Sequence, residues 1–327
     1  MVQALIGSLI AAGATRTGAA AQQAVKVWRI GFVGLGPPTP EINTGLDAFR
    51  DALTEHRHQV VIEYRWFEAD PLLRLADDIT DLRLDVLVFC GERALRALPT
   101  RSELLTLPPV VFALYNQLQP RDLLWQFSTD KGIAGVSATT PTLIADQIRI
   151  LKDVIPGMDR LAILWDQSDP GSLRAFNEAV AAVRVTGIHP QGVEASNPAQ
   201  LQSAFGAAVS ARANALIVIA SATTISHATT VVALAARYRF PAIYSLHEFA
   251  EAGGLMSYGA SLHTTLRRAA AYVDRIVSGG NWPPVKPRGG LSIEPPSQLE
   301  LVVNDKTAKA LGLTIPPSLL RTGRVIG

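Results

Sequence analysis

The sequence predicts an α/β protein of two doubly wound, Rossmann-like lobes joined by three hinge crossings. Short, fully apolar runs such as Asp85–Cys90 (DVLVFC) and Pro109–Leu114 (PVVFAL) have the character of parallel strands covered on both faces. Segments of helical period separate them. The whole series then occurs twice. IGFVGLG matches LAILWDQ, DVLVFCGERALRAL matches NALIVIASATTISHA, and PPVVFALYNQ matches FPAIYSLHEF. The offset stays near about 130 residues, one α/β domain length.

The first copy opens with the strand Val27–Val33 (VWRIGFV), followed by a helix from Glu41 to about His56 with Leu46, Phe49 and Leu53 on one face. The strand Val60–Trp66 comes next, then a helix over Leu72–Leu82. After the strand Asp85–Cys90, a helix is expected over Glu92–Leu98, and Pro109–Leu114 runs into Tyr115-Asn116-Gln117. Gly132–Pro141 (GIAGVSATTP) reads as a strand leaving the first lobe.

The second copy begins at Arg160–Trp165 and continues through a helix over Ser172–Val185, a strand near Ile188–Val193 and a helix over Pro198–Ala211. The strand Ala215–Ala220, a helix to Tyr238 and the strand Pro241–Ser245 complete it. A polar turn at Leu246-His247-Glu248 then leads through Gly253-Gly254 to the strand Leu255–Tyr258. Gly259 and the glycine pair supply the backbone freedom that a crossing between two bodies needs. A helix over Leu262–Val277, a Pro/Gly-rich stretch from Gly279 to Pro296, a strand over Leu299–Val303 and a helix over Asp305–Leu311 close the chain, with a Pro-Pro loop at the end. The expected division is 27–138 plus 260–285 for lobe 1 and 141–256 plus 291–320 for lobe 2.

At 327 residues, with 48% hydrophobic and 18% charged residues, the chain is long enough for two cores. A net charge of +2 with interspersed signs gives no nucleic-acid footprint. Residues 1–21 differ: Val2 to Ala14 is apolar and small, and Ala19-Ala20-Ala21 forms an A-x-A type cleavage site, as in a secretory signal peptide without a basic start. The single cysteine, Cys90, reads as a small buried hydrophobe.

No catalytic set emerges. Gly34-x-Gly36 follows a strand, but Pro37 and Pro38 have no N–H to offer a pyrophosphate. No Walker sequence occurs, and His247-Glu248 lacks the second histidine of a zinc protease. Ser168 and Ser221 follow strands outside any G-x-S-x-G elbow. No cofactor or metal is expected. What gathers at the strand ends is hydrogen-bonding and aromatic: Tyr115, Asn116, Ser137, Trp165, Asp166, Ser168, Ser221, Thr223, Ser245, His247 and Tyr258. That is the palette of a small-molecule site, placed where open α/β sheets bind ligands. Two other classes stay open on these residues. A two-lobed α/β enzyme of glycosyltransferase or epimerase type would recruit Asp166, Asp169 and Glu248, and a ligand sensor would use the same fold.

Three segments carry a resemblance: IEYRWFEADPLLRLADDITDL, FAEAGGLMSYGASLHTTLRRAAAYVDRI and QLELVVNDKTAKALGLTIPPSLL. They resemble ABC transporter substrate-binding proteins of the tryptophan/aromatic-solute type, over essentially the whole chain after residue 21. The resemblance implies a type I periplasmic-binding fold that closes over a solute and delivers it to an inner-membrane permease. It further implies a periplasmic, monomeric protein without catalysis. Carried over by position, it places ligand contacts at Gly36, at Gly91, Glu92 and Arg93, and at the strand ends already named. This chain departs from the family's pattern in having Asn116-Gln117-Leu118 where relatives carry Asp-Asp-Pro or Asp-Pro. Its loop GGNWPPVKPRGG and its ending RTGRVIG depart as well. Loss of that carboxylate leaves room for an aromatic or other organic carboxylate, with Arg93 and loop N–H groups as anchors.

Overall fold

The computed structural model describes residues 26–35, 38–55, 58–67, 82–93, 108–116, 133–280 and 291–327. Gly36, the leader 1–21 and most of the helices expected over Leu72–Leu82 and Glu92–Leu98 lie outside them.

Two sheets form. The first, six strands, has the order β11-β5-β4-β3-β1-β2, from β1 (Val27–Leu35), β2 (Gln59–Phe67), β3 (Val86–Cys90), β4 (Val110–Leu114), β5 (Ile133–Ser137) and β11 (Leu291–Glu294). All its pairings are parallel. The second, seven strands, has the order β13-β12-β10-β9-β8-β6-β7, from β6 (Arg160–Trp165), β7 (His189–Glu194), β8 (Ala215–Val218), β9 (Ala242–Leu246), β10 (Met256–Ala260), β12 (Glu300–Asn304) and β13 (Arg324–Ile326). Here only β10 and β12 pair antiparallel. The internal repeat is visible in the order of the first five strands of each copy, which is 2-1-3-4-5 in both sheets. That order puts a topological switch between the first and third strands of each copy, where ligands enter doubly wound sheets.

The strands are what their residues dictate. β3 (VLVFC), β4 (VVFAL), β8 (ALIV) and β9 (AIYSL) are buried at every position, as strands covered on both faces must be. Helix α1 (Pro40–Glu55) turns Ile42, Leu46, Phe49 and Leu53 inward. Between the sheets' strands run α2 (Leu143–Val154), α3 (Pro170–Arg184), α4 (Leu201–Ser210), α5 (Ala222–Ser226), α6 (Ala228–Arg237) and α7 (His247–Glu251). After β10 come α8 (Leu262–Val277), α9 (Asp305–Leu311) and α10 (Pro317–Thr322). Helix α8 lies along α1 and over β4 and β5, so the chain has returned to the first lobe by residue 262.

The chain thus passes between the lobes three times: at 138–142, at Ala260–Leu262 and at 295–299. One core runs through both lobes, from Phe32, Phe49 and Val88 to Phe205, Tyr244 and Phe249. A second fills the other face of the second sheet, around Leu151, Ile163, Ala179 and Val303.

Four features differ from the sequence reading. Helix α2 was not expected; its inward face of Ile144, Ile148, Leu151 and Val154 is interrupted by a buried Gln147. The helix expected up to Tyr238 breaks into α5 and α6 at His227, whose φ/ψ of −125°/31° leaves helical space. Leu291–Glu294 pairs with β5, so these residues belong to the first lobe and not the second, and the return to the second sheet falls at 295–299, later than the expected 285–291. The Pro-Pro end is no loop: Pro317 sits in the first turn of α10, where its missing N–H costs nothing, and β13 then pairs with β12.

Candidate functional site between the lobes

The carboxyl ends of the two sheets meet, and polar groups make the contact. Asn116, just past β4 in lobe 1, donates through its Nδ2 to the carbonyl of Ala220, just past β8 in lobe 2, at 2.8 Å. Glu92, just past β3, is fully buried and accepts the Asn116 backbone N–H on Oε1 at 2.5 Å. Its side chain lies over the start of α3, so close that a Cβ on Gly171 would stand 2.6 Å from its Cγ and 2.8 Å from its Cδ. Glycine is what lets the two lobes touch there.

On the lobe 2 side the chain after β6 folds into a turn built by two aspartates. Asp166 Oδ1 accepts from Ser168, through its N–H at 2.9 Å and its hydroxyl at 2.6 Å. Its Oδ2 accepts the Thr223 hydroxyl at 2.8 Å, joining the ends of β6 and β8. Asp169 is the N-cap of α3, accepting from Gly171 N and Ser172 N at 3.0 Å each, with Pro170 in the first turn. Glu92 Oε2 and Asp169 Oδ2 are both buried and have no hydrogen-bond partner among the described residues.

Electrostatics follow from that burial. Loss of solvent pushes the Glu92 carboxyl well above the ordinary range, and Asp169 adds to it; the Asn116 N–H opposes. Burial likewise raises Asp169 to about 7; its helix N–H bonds and Arg93 pull the other way, and Asp166 adds to the rise. The Cys90 thiol is pushed up to about 12, mainly by burial, so it is an inert core thiol.

The remaining expected residues divide. Tyr115 packs into the lobe 1 core, its ring against Gly91 and its hydroxyl 3.4 Å from Cys90 Sγ. Ser221 is spent as the N-cap of α5, in a capping box with Thr224. Trp165 stacks on Phe176 of α3 at 4.2 Å, toward the edge strand β7. There Phe176, Val180, Arg184, Pro190 and Gly192 line a groove of about 470 Å³.

Ser137, Ser245, His247 and Tyr258 gather at the crossings. Ser137 donates to Thr139 O at 2.9 Å, and His247 Nε2 lies 2.9 Å from Gly259 O. Gln147, invisible to the sequence reading, reaches Tyr258 O at 3.0 Å and Tyr244 O and Ser245 Oγ at 3.3 Å each. A cavity of about 10 Å³, bounded by Asn116 and Thr139 on one side and Ala175 and Glu178 on the other, has room for about one water. Among the described residues no group of three or more His, Cys, Asp or Glu could hold a metal, and no helix is long and apolar enough to cross a membrane.

Two duplicated lobes, in contact through polar groups at their sheet ends and joined by three crossings, define a two-lobed ligand-binding protein of the type I periplasmic class. The family model for ABC transporter substrate binding protein matches residues 36–325, and the chain belongs to that family. Solved structures with the same fold include an ABC domain from Streptococcus pneumonia in complex with L-Trp. It is 21% identical, with a TM-score of 0.75, over 91% of this chain and 100% of that one. A conserved domain protein from Vibrio cholerae is 18% identical with a TM-score of 0.76, over 92% and 99%. A LacI family transcriptional regulator from Bifidobacterium animalis is 14% identical with a TM-score of 0.57, over 84% and 95%. No curated protein sequence matches the chain.

Proposed function

We propose that the protein is the periplasmic solute-binding component of an ABC importer. Its two lobes, the first of 27–138 with 260–285 and β11, the second of 141–256 with 299–320 and β13, close over a small organic solute. The solute is an aromatic amino acid or an aromatic or other organic carboxylate, handed unchanged to an inner-membrane permease. The leader 1–21 exports the chain, which acts as a monomer. The family match supports the role, and the L-Trp named for the Streptococcus structure supports the solute class. The observation that carries the reading is the hydrogen bond from Asn116 to Ala220, which links the carboxyl edges of opposite lobes. A solute touching both edges shifts the population toward the closed arrangement.

Binding without turnover is favoured by how the carboxylates are used. Asp166 ties a turn, Asp169 caps α3, and Glu248 accepts the Leu262 N–H at 2.6 Å. One oxygen of each is committed to a backbone N–H before any substrate arrives, a structural use that favours binding over acid–base chemistry. Gly91, Glu92, Arg93, Asn116, Ser168 and Thr223 stand at the meeting edges and are the proposed solute contacts. Gly36, outside the described residues, is proposed as a further contact. A thermal-shift screen of purified protein against aromatic amino acids and organic carboxylates tests the reading. Stabilisation by several degrees at millimolar solute is expected, and no shift with any member of either class overturns it.

A further inference from the structure

Unpaired cations of lobe 2 collect at its far pole, the amino ends of its parallel strands, opposite the edge that meets lobe 1. Lys152, Arg184 and Arg237 lie there in the last turns of α2, α3 and α6. Arg160 opens β6, and Arg212 and Arg239 come just ahead of β8 and β9. All six are exposed, and the same turns carry two acids, Asp153 and Asp159. The positive excess at this one pole is larger than the +2 of the whole chain. None of these five arginines reaches a carboxylate among the described residues, whereas Arg149, Arg174 and Arg324 of the same lobe each do. Apolar side chains stand among the cations. Val185 is 86% exposed beside Arg184, and Val209 is 46% exposed ahead of Arg212. The Arg237 guanidinium lies over the Tyr238 ring, 5.7 Å from its centre.

The fold accounts for part of this charge, since bases in a last helical turn face the carbonyl end of the helix. Arg212 and Arg239 fall outside that account. Each closes its helix in the left-handed region, at φ 54° and 55°, and the N–H that follows bonds back to Ala208 O or Ala235 O. An L residue is strained in that conformation and glycine is not; the chain uses glycine in the left-handed cap of α9, at Gly312. Arg212 makes no side-chain hydrogen bond among the described residues, and Arg239 makes one, to Ala310 O at 3.3 Å. The two guanidiniums strain the backbone and do little for the fold. Their charge faces solvent.

We propose that this pole of lobe 2 docks on a bilayer surface of anionic phospholipid headgroups. The cations follow the sheet edge in strand order, from Arg184 ahead of β7 through Arg160 and Arg212 to Arg239 ahead of β9. An open row of this kind suits many interchangeable phosphates better than one shaped partner. Cations interleaved with an aromatic ring and exposed aliphatic side chains are the composition of a membrane-interface surface. Each cation near an anionic surface adds its own attraction. The contact leaves the cleft free, because the cleft lies at the opposite edge of the same strands. The surface is argued from this pole alone; its role rests on the solute-binding reading, for it keeps the carrier beside the membrane that houses the permease.

Co-sedimentation of the purified, solute-free protein with vesicles tests this, comparing phosphatidylcholine alone with phosphatidylcholine containing about a third phosphatidylglycerol. Binding is expected to the anionic vesicles only, and to weaken by about 10-fold or more between low and physiological salt. The double variant Arg212→Gly/Arg239→Gly separates charge from fold. Glycine suits the left-handed backbone, so its melting temperature should match or exceed the parent's, while vesicle binding falls by about 10-fold or more. Should the double variant melt lower, binding is read in Arg160→Gln/Arg184→Gln, which leaves both left-handed turns untouched and is expected to lose the same factor. Equal binding to neutral vesicles overturns the proposal, as does undiminished binding by either double variant. No binding to anionic vesicles at low salt overturns it too; retention on immobilised polyglutamate in that case gives the row to an acidic polypeptide. None of these measurements involves solute, so the solute-binding reading stands or falls by its own screen.

Discussion

At the scale of single residues, the crossings are held by groups whose chemistry is conditional. Glu248 follows β9 in the second lobe, yet its carboxylate accepts the backbone N–H of Leu262, the first residue of α8 in the first lobe. Ser261 caps the same helix through Thr264 N at 3.1 Å. Burial raises Glu248 to about 7, with its backbone bonds opposing and Glu251 adding to the rise. A carboxyl raised in the folded state binds its proton more tightly than in the unfolded chain. The stability linked to that proton is therefore full below about pH 4.5 and lost as pH rises through 7. A shift of this size is worth roughly 3 kcal/mol across the window. The melting temperature is expected to fall between pH 5 and 8, and less steeply in Glu248→Gln, which keeps an acceptor for Leu262 but does not titrate. Parallel slopes in the two proteins would remove Glu248 from the account. Gly259 makes a second expectation at this scale. A Cβ there would overlap the carbonyl of Ser245 on the neighbouring strand. Gly259→Ala should cost about 2 kcal/mol or more in a urea titration, since β10 must shift to admit one methyl.

Among the elements, what could be read from the sequence is what a periodic pattern writes. Strands β3, β4, β6 and β9 were legible because parallel strands buried on both faces are unbroken apolar runs, and the same property exposed the duplication. Helix α8 was read over Leu262–Val277 as the structure has it, capped by Ser261 and with Leu262, Leu266, Ala269 and Val273 turned inward. Helix α2 escaped because a glutamine stands in the middle of its buried face. Its amide reaches the Tyr258 carbonyl, a partner more than a hundred residues away that no local pattern announces. The C-terminal strand β13 escaped for a related reason. Only three residues long, with Val325 exposed, it exists by pairing with β12 and has no pattern of its own. At the site, polarity at the strand ends marked Asn116, Ser168 and Thr223, but not the jobs they hold. Trp165, expected as a ligand contact, stacks on Phe176. An aromatic at a strand end packs wherever an apolar neighbour stands, and that neighbour comes from a different turn of chain. Asp169 was legible as an acid that an enzyme could recruit, and not as the cap of α3. Its nearness to Glu92 depends on two lobes meeting.

For the whole molecule, the proposed balance between open and closed lobes depends on the polar groups that join the sheet edges, so single side chains there should move it. The Asn116–Ala220 hydrogen bond joins the lobes directly, while the Glu92 side chain packs over Gly171 across the same contact. Removing the first without touching the second gives a clean test. In Asn116→Ala the Glu92 Oε1 acceptor keeps its donor, because that donor is the backbone N–H of residue 116. The variant loses one net hydrogen bond, about 0.5 to 1.5 kcal/mol, and the equilibrium moves toward open by about 3- to 10-fold. Solution X-ray scattering reads that shift as a larger radius of gyration in the solute-free variant than in the parent. Saturating solute should bring both to the same smaller value, because the bound state supplies its own contacts between the lobes, and the variant's affinity should drop by at least that 3- to 10-fold factor, since Asn116 is also a proposed solute contact. Identical scattering curves for parent and variant, with and without solute, would mean that the lobes do not move on binding, and that the contact between Asn116 and Ala220 is a fixed part of the core.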